Sequence, residues 1–385
     1  MRRQLARLPA RPRRMLKRVP GAAWVRDRIY GYPAGPRPTA GDLRPVVYLP
    51  TWERWEIMKQ RPQYLLEAMA AAGHEVWFVD LRLSEAETVD ELIHLVPSIR
   101  ETPSAGVIIY THFAPTQTLI ERFRDRVVVY DLLDDLSIYE PSEQGMPLER
   151  TVRHHHGPLM NDADVVIASS PVLAERHRFE RSDLILVENG VDLGRFHPEG
   201  PIAPELPEGT IVGYHGALAP WFDFELLTEV AGLRRDLSFV LVGPVDPEVE
   251  SQAAKLGDLP NVSLIPAQGS DRIAEFVRGF TVGMLPFVVN EMTEAVAPLK
   301  MYEYLACGVP MVATPLPACL SEPAVRTASD PETFAAAIGS CVELGRGERL
   351  GLRTHAEPAD WRRRVAPLRS RLEDRAQLIV GGTGR

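Results

Sequence analysis

The chain is poor in lysine and cysteine and has no long apolar run. Four lysines (Lys17, Lys59, Lys255, Lys300) stand against 39 arginines, so a lysine at a given place owes little to abundance. Three cysteines, Cys307, Cys319 and Cys341, make an odd set without metal or redox spacing. That excludes a disulfide framework and points to a reducing compartment. No window approaches the ~18 uninterrupted apolar residues of a membrane span, which excludes an integral helical membrane protein. The basic N-terminus is interrupted by Pro9, Pro12 and Pro20, and no apolar stretch of signal-peptide length follows it. The expectation is a retained cytoplasmic protein.

Charge is unevenly spread. Of 43 Lys+Arg and 52 Asp+Glu, ten and one fall in residues 1–28, which leaves an arm of net +9 on a body of net −18. An acidic body lacks the basic footprint of extended nucleic-acid binding, so no nucleic acid is expected as a partner. The arm mixes arginine with Leu5, Leu8, Leu16 and Trp24. It suits the inner face of an anionic membrane, or is a disordered tail.

The rest reads as an ordinary globular composition, 385 residues with 45% hydrophobic and 25% charged, sized for two domains. From Pro45 onward, continuous apolar runs alternate with helix-length segments: residues 45–52, 75–82, 107–113, 127–131, 163–170 and 184–187. Apolar strands separated by helices predict a parallel sheet covered on both faces. Pro198, Pro201, Pro204 and Pro207 then recur every third residue, which favours an extended linker. The rhythm restarts at residues 210–213, 237–243, 262–266, 280–287 and 309–314. The expected fold is α/β, two doubly wound Rossmann-like domains facing across a cleft. Its divisions are a basic arm at 1–41, an N-terminal domain at 42–197, a linker at 198–209, a C-terminal domain at 210–350, and a helical tail at 351–385 packing back on the first domain. In the tail Trp361, Val365, Leu368 and Leu372 share one stripe.

The segment richest in chemistry is APLKMYEYLACGVPMVAT, residues 297–314. Pro298 suits a helix first turn. Lys300 and Glu303 lie three apart on one face, near an end that carries unpaired N–H groups and partial positive charge. A diphosphate is the natural ligand there, and Glu303 can accept two hydrogen bonds from a ribose. Gly213 and Gly216 follow a strand, where small residues let main chain approach phosphates or sugar. Asp223 and Glu225 repel an anion from the next helix end. Asp131, Asp134 and Asp135 end a strand of the first domain, where Asp134 or Asp135 can serve as base or as N-cap. His112 follows another strand, as a sugar contact or a structural histidine. His154, His155 and His156 are consecutive, so they cannot converge on one ion and read as an exposed surface. Trp52, Trp55 and Arg61 follow the first strand, as an acceptor platform or as packing.

The string PLKMYEYLACGVPMVAT resembles the donor-site helix of GT-B glycosyltransferases, most of all the bacterial enzymes related to family 4. RPQ at 61–63, GHEV at 73–76, YDLLDD at 130–135, ADVVIASS at 163–170, ENGVDLGRF at 188–196, GYHGAL at 213–218, LVGP at 241–244 and LPF at 285–287 match in order, over roughly residues 45–375. The resemblance implies a sugar moved from a nucleotide-diphosphate sugar, such as a UDP-sugar, to an acceptor hydroxyl in envelope polysaccharide, glycolipid or metabolite synthesis. It implies a donor site of Gly213, Tyr214, His215, Gly216, Gly243, Pro286, Pro298, Leu299, Lys300 and Glu303, with Asp134, Asp135, His112 and Lys300 as catalytic groups. Trp52, Trp55 and Arg61 would face a sugar, lipid-linked or small-molecule acceptor. No metal and no other cofactor is expected, since such enzymes neutralise the diphosphate with helix ends and cations. One departure stands out. Many retaining members carry Glu-x7-Glu ending where Glu303 stands, but position 295 is Ala295, with Glu294 one residue away. A bacterial glucuronosyltransferase-like relative inverts with an acceptor-domain Asp. A nucleotide-sugar 2-epimerase and a catalytically silent fold-mate are the other readings of this fold.

Overall fold

The computed structural model describes residues 32–35, 43–51, 53–55, 59–136 and 147–382. The basic arm at 1–28 and Trp52 lie outside them. Two compact units emerge. The first comprises residues up to Trp55, Pro62–Glu188 and Val365–Arg385; the second comprises Glu56–Arg61 and Asn189–Arg364.

The first unit is built on an eight-stranded sheet: β1 (Val46–Tyr48), β2 (Val76–Val79), β3 (Glu87–Asp90), β4 (Ile93–Val96), β5 (Ala105–Thr111), β6 (Arg124–Leu132), β7 (Val165–Ala168) and β8 (Ile185–Leu186). Helix α1 (Arg61–Ala71) follows β1, and α2 (Pro147–Asp162) and α3 (Pro171–His177) flank β7. The order is β3-β4-β2-β1-β5-β6-β7-β8, parallel throughout except for the β3–β4 pair. The strands β2 and β7 are apolar and buried throughout, and β6 is buried from Val127 onward, as a sheet covered on both faces requires. The ETVD run of β3 is exposed at every residue and sits at the sheet edge. Its polar sequence gave no strand signal, because an edge strand with no buried face needs no alternation.

The second unit has six parallel strands: β9 (Ile211–His215), β10 (Ser238–Val242), β11 (Val262–Ile265), β12 (Val282–Leu285), β13 (Met311–Ala313) and β14 (Val325–Thr327). Helices α4 (Phe224–Leu233), α5 (Glu250–Gly257), α6 (Ser270–Gly279) and α7 (Leu299–Ala306) lie between strands, and α8 (Pro331–Val342) follows β14. The order β11-β10-β9-β12-β13-β14 is the doubly wound one, reversing direction between β9 and β12. In the first unit the corresponding reversal lies between β1 and β5.

The boundary differs from the proline-rich 198–209 that composition suggested. The units divide at Glu188 and Asn189, and residues 198–209 group with the second, largely exposed but anchored to it. Ala203 is buried there and its N–H donates to the Glu275 carbonyl, while Arg278 donates to the carbonyls of Arg195, His197 and Pro201. Proline fixes an extended backbone, but side-chain donors on α6 hold that backbone down. The tail is also split. Residues 351–364 group with the second unit, and Val365–Arg385, containing α9 (Ala366–Gly382), group with the first. Trp361, Val365, Leu368 and Leu372 are all buried.

Candidate donor site and the acceptor-side network

In an open α/β sheet, ligands bind beyond the carboxyl ends of the strands where the order reverses. In the second unit that place is the end of β9 and β12, and the sequence delivers three features to it. First, the chain leaves β9 as His215–Gly216. Gly216 has φ +127°, a left-handed value that favours glycine. A Cβ there would meet Lys300 Cε at 2.4 Å and Nζ at 2.7 Å. Second, a Cβ on Gly243, after β10, would sit 2.0 Å from the Gly216 carbonyl oxygen. Two glycines thus let two strand ends and one lysine share a space that no side chain could enter.

Third, α7 enters at this point. Pro298 precedes it in extended conformation, and no acid lies in its first turn. Met301, Tyr304 and Leu305 face the core at i, i+3 and i+4, and Gly308, with φ +71°, ends the helix. Docking of that face fixes the opposite one. The Tyr304 hydroxyl accepts the His215 N–H at 3.3 Å and donates to the Gly213 carbonyl at 3.5 Å. Lys300 is half-buried, with Nζ 5.5 Å from the centre of the Tyr214 ring and 6.0 Å from that of Phe287. Burial pulls its ammonium below the usual lysine range, and the Glu303 carboxylate opposes that pull. Glu303 is buried, with Oε2 3.1 Å from Nε2 of His215.

Of the residues expected at a donor site, Gly216, His215, Gly243, Lys300 and Glu303 thus come together in one unit. Pro286 leaves β12 and accepts the Asp223 N–H, and Pro298 and Leu299 begin α7. Two residues serve packing instead. Gly213 faces inward, where a Cβ would strike the Phe280 ring at 2.2 Å, so its smallness admits a phenylalanine rather than a phosphate. Tyr214 is fully buried, donates to the Ala217 carbonyl at 2.9 Å and underlies Lys300. The Asp223 carboxylate caps its own helix α4, accepting from Leu226 N–H, which leaves that helix end unsuited to an anion. Ala295 is buried at 1% and Glu294 is exposed, so Glu294 does not take the place of the first carboxylate of Glu-x7-Glu.

One support of α7 was invisible in the sequence. Asn189 Nδ2 donates to the Ala297 carbonyl at 2.6 Å, just before Pro298, and Asn189 Oδ1 accepts from Arg61 at 3.1 Å. Arg61, grouped with this unit, is completely buried. That corrects its expected acceptor role: a buried guanidinium bonded to a positioning asparagine holds the fold and cannot present itself to a ligand. Only a motif pairing RPQ with ENG across 128 positions could have disclosed it.

In the first unit the reversal point gathers Glu53, after β1, and His112, after β5. His112 Nε2 lies 3.2 Å from Glu53 Oε1, and its Nδ1 lies 3.0 Å from the Tyr48 hydroxyl. Burial lowers the imidazole, but Glu53, helped by Asp131 and Asp134, more than compensates and raises it above 6.5. The same burial raises Glu53, and His112 more than compensates to bring it below 4.5. With both ring nitrogens engaged and its side chain 1% exposed, His112 is a structural and electrostatic element of this unit. Glu53 was missed by the sequence reading because a lone glutamate between two tryptophans carries no motif. Trp55 is buried and packs edge-on to Phe78 at 5.3 Å, so the expected aromatic platform is core at that position. Asp135 pairs with Arg176 at 2.5 Å, whereas Asp134 is exposed and lines one small pocket with His112, Tyr130 and Asp131. Asp131 is fully buried and accepts from the Tyr110 hydroxyl at 2.6 Å.

Residues 209–343 match the family model described as glycosyl transferases group 1. A curated relative, TuaH of Bacillus subtilis (strain 168), named as a candidate glycosyltransferase of teichuronic acid biosynthesis, is 31% identical over 141 residues. That match spans 36% of this chain and 36% of TuaH. Sucrose-phosphate synthase from Thermosynechococcus elongatus superposes over 88% of this chain and 99% of its own at TM-score 0.59 and 17% identity. The trehalose-6-phosphate synthase OtsA does so over 86% and 99% at TM-score 0.62 and 12% identity. Anabaena HepE, solved with UDP-glucose, covers 85% and 100% at TM-score 0.59 and 14% identity. These structural likenesses establish the GT-B architecture. The family match falls on the unit that holds Gly216, Lys300 and Glu303; in fold the chain is a GT-B protein, and in residues 209–343 it is similar to the glycosyl transferases group 1 family.

Proposed function

We propose that the protein transfers a sugar from a nucleotide-diphosphate sugar to an acceptor hydroxyl. The observation that carries this is the convergence of Gly216, Gly243, Lys300 and Glu303 at the β9–β12 reversal point of a unit similar to the glycosyl transferases group 1 family. The α7 N-terminus and Lys300 stabilise the departing diphosphate, because they offer positive charge, already fixed in place, where negative charge develops. Glu303, oriented by His215, accepts hydrogen bonds from the ribose. Gly216 and Gly243, by lacking side chains, let Lys300 and the two strand ends close up where the diphosphate binds. HepE, solved with UDP-glucose, supports a sugar nucleotide as donor, and TuaH supports an envelope polysaccharide as the acceptor class. In the first unit Asp134 takes the acceptor proton, with the buried His112–Glu53 pair behind the same pocket wall. The absence of a carboxylate at position 295 favours inversion by this base over retention. No step in this reading calls on a metal.

Lys300→Ala should lower kcat/KM about 10²- to 10³-fold, the range for loss of one donor to a developing anion. Nucleoside-diphosphate release from sugar nucleotides, with an acceptor panel present, is the readout, and circular dichroism checks the fold. An unaltered rate overturns the role of Lys300. Donor binding with no release for any sugar and acceptor would instead identify a silent fold-mate, and turnover of the donor without acceptor would identify an epimerase.

A further inference from the structure

Three consecutive histidines on α2 divide in the folded chain. His155 pairs with Gln117 and stacks edge-on with His154, but His156 turns inward and is buried. There it meets the buried His177, at the end of α3, and Glu180 in the turn beyond. His156 Nε2 lies 3.4 Å from one oxygen of Glu180, and His177 Nδ1 lies 3.3 Å from the other. One ligand atom from each of the three residues falls within 4.8 Å of the others.

From these contacts we propose that His156, His177 and Glu180 bind a divalent transition cation of the zinc class, with solvent as the fourth ligand. Zinc holds nitrogen and oxygen ligands at ~2.0–2.1 Å, so two ligands of a tetrahedral ion stand about 3.3–3.4 Å apart. Each imidazole stands at that distance from its own Glu180 oxygen, and with one ligand atom per residue the three lie within 4.8 Å of one another, so an ion draws them together by about an ångström. Two imidazoles and one carboxylate are a donor set suited to zinc, and three protein ligands leave one position open. The Glu180 side chain is 50% exposed, which gives that position access to water. The remaining nitrogen of His156 is engaged as a ligating histidine requires: Nδ1 lies 2.9 Å from the Tyr130 hydroxyl. That contact fixes the ring and leaves Nε2 for the ion. Of the nearby arginines, Arg176 is matched with Asp135 and Arg178 with Glu175. The bound ion joins α2 to the end of α3 beside Tyr130, whose side chain also lines the pocket of His112 and Asp134. The site is separate in chemistry from the sugar-transfer reading and independent of it.

The test uses the full chain, tag-free and stripped with chelator, and zinc alone as the probe. Equilibrium dialysis with metal analysis should find one equivalent bound, and the cobalt form should show tetrahedral visible absorption. Glu180→Gln, at an exposed position that leaves packing unchanged, and His177→Asn should each weaken binding at least tenfold. The double variant His154→Ala, His155→Ala should bind as wild type does. Zinc should raise the Tm of wild type and not of Glu180→Gln. A wild-type chain that binds no zinc, or binding that Glu180→Gln and His177→Asn both leave unchanged, overturns the proposal.

Discussion

Lys300 draws its significance from what surrounds it. An ammonium beside the Tyr214 and Phe287 rings and packed against Gly216 is costly to desolvate, and Glu303 offsets only part of that cost. Such a cation is held for an anion. Gly216→Ala tests the geometry without removing a charge. At φ +127° an alanine is strained by about 1–3 kcal/mol, and its methyl occupies the place of Lys300 Cε. We expect a lower Tm together with a weakened grip on nucleoside diphosphate, measured by calorimetry; full affinity would separate the glycine from the site. In the first unit, the His112–Glu53 pair predicts a pH signature. His112 is raised, so its share of stability is complete below 6.5 and fades as pH climbs through the raised value. Glu53 is lowered, so its share is complete above 4.5 and fades as pH falls through the lowered value. The Tm gap between wild type and Glu53→Gln should be widest between pH 4.5 and 6.5 and shrink on both sides. A gap that does not change with pH would show that the pair carries no charge.

At the scale of elements, α7 shows what could be read in advance. Proline at its start, glycine past its end and an apolar face at i, i+3, i+4 are local signals, and they placed Lys300 and Glu303 correctly on one helix. The same holds for the strands, because buried parallel strands are apolar without interruption. What failed was whatever depends on partners distant in sequence. Gly213 looked like an opening for phosphate until Phe280 was found filling it. Arg61 and Trp55 looked like acceptor groups until burial removed them. The polar edge strand β3 carried no pattern, and the prolines of 198–209 suggested a free linker because nothing in them announces the α6 arginine that binds their carbonyls. His156 on α2 meets His177 and Glu180, at and beyond the end of α3, only through the fold. The tail offers a test at this scale. Leu368, buried on α9 within the first unit, should cost about 2–5 kcal/mol when changed to alanine. Denaturant unfolding that shows no such loss would deny α9 its place in that core.

For the whole molecule, the scarcity of reactive groups is as informative as their placement. Burial pushes the thiols of Cys307 and Cys319 up to about 12 and raises that of Cys341 as well. A thiol that stays protonated is inert. None of the three should be alkylated by iodoacetamide at neutral pH while the chain is folded, and all three should be in denaturant; modification of the native protein would contradict the burial. No helix among the described residues is long and apolar enough to cross a membrane. The body is acidic and its cations near the reversal point are few, and the central claim is that those cations bind a nucleoside diphosphate. Because a ligand that binds only the folded state raises its melting temperature, the direct measurement is a thermal-shift titration with UDP, GDP, ADP and dTDP. At least one of them should raise the Tm of wild type, in a concentration-dependent way, and fail to raise that of Lys300→Ala, Glu303→Gln. A wild type that responds to none of the four, or a double variant that responds equally, would contradict the account.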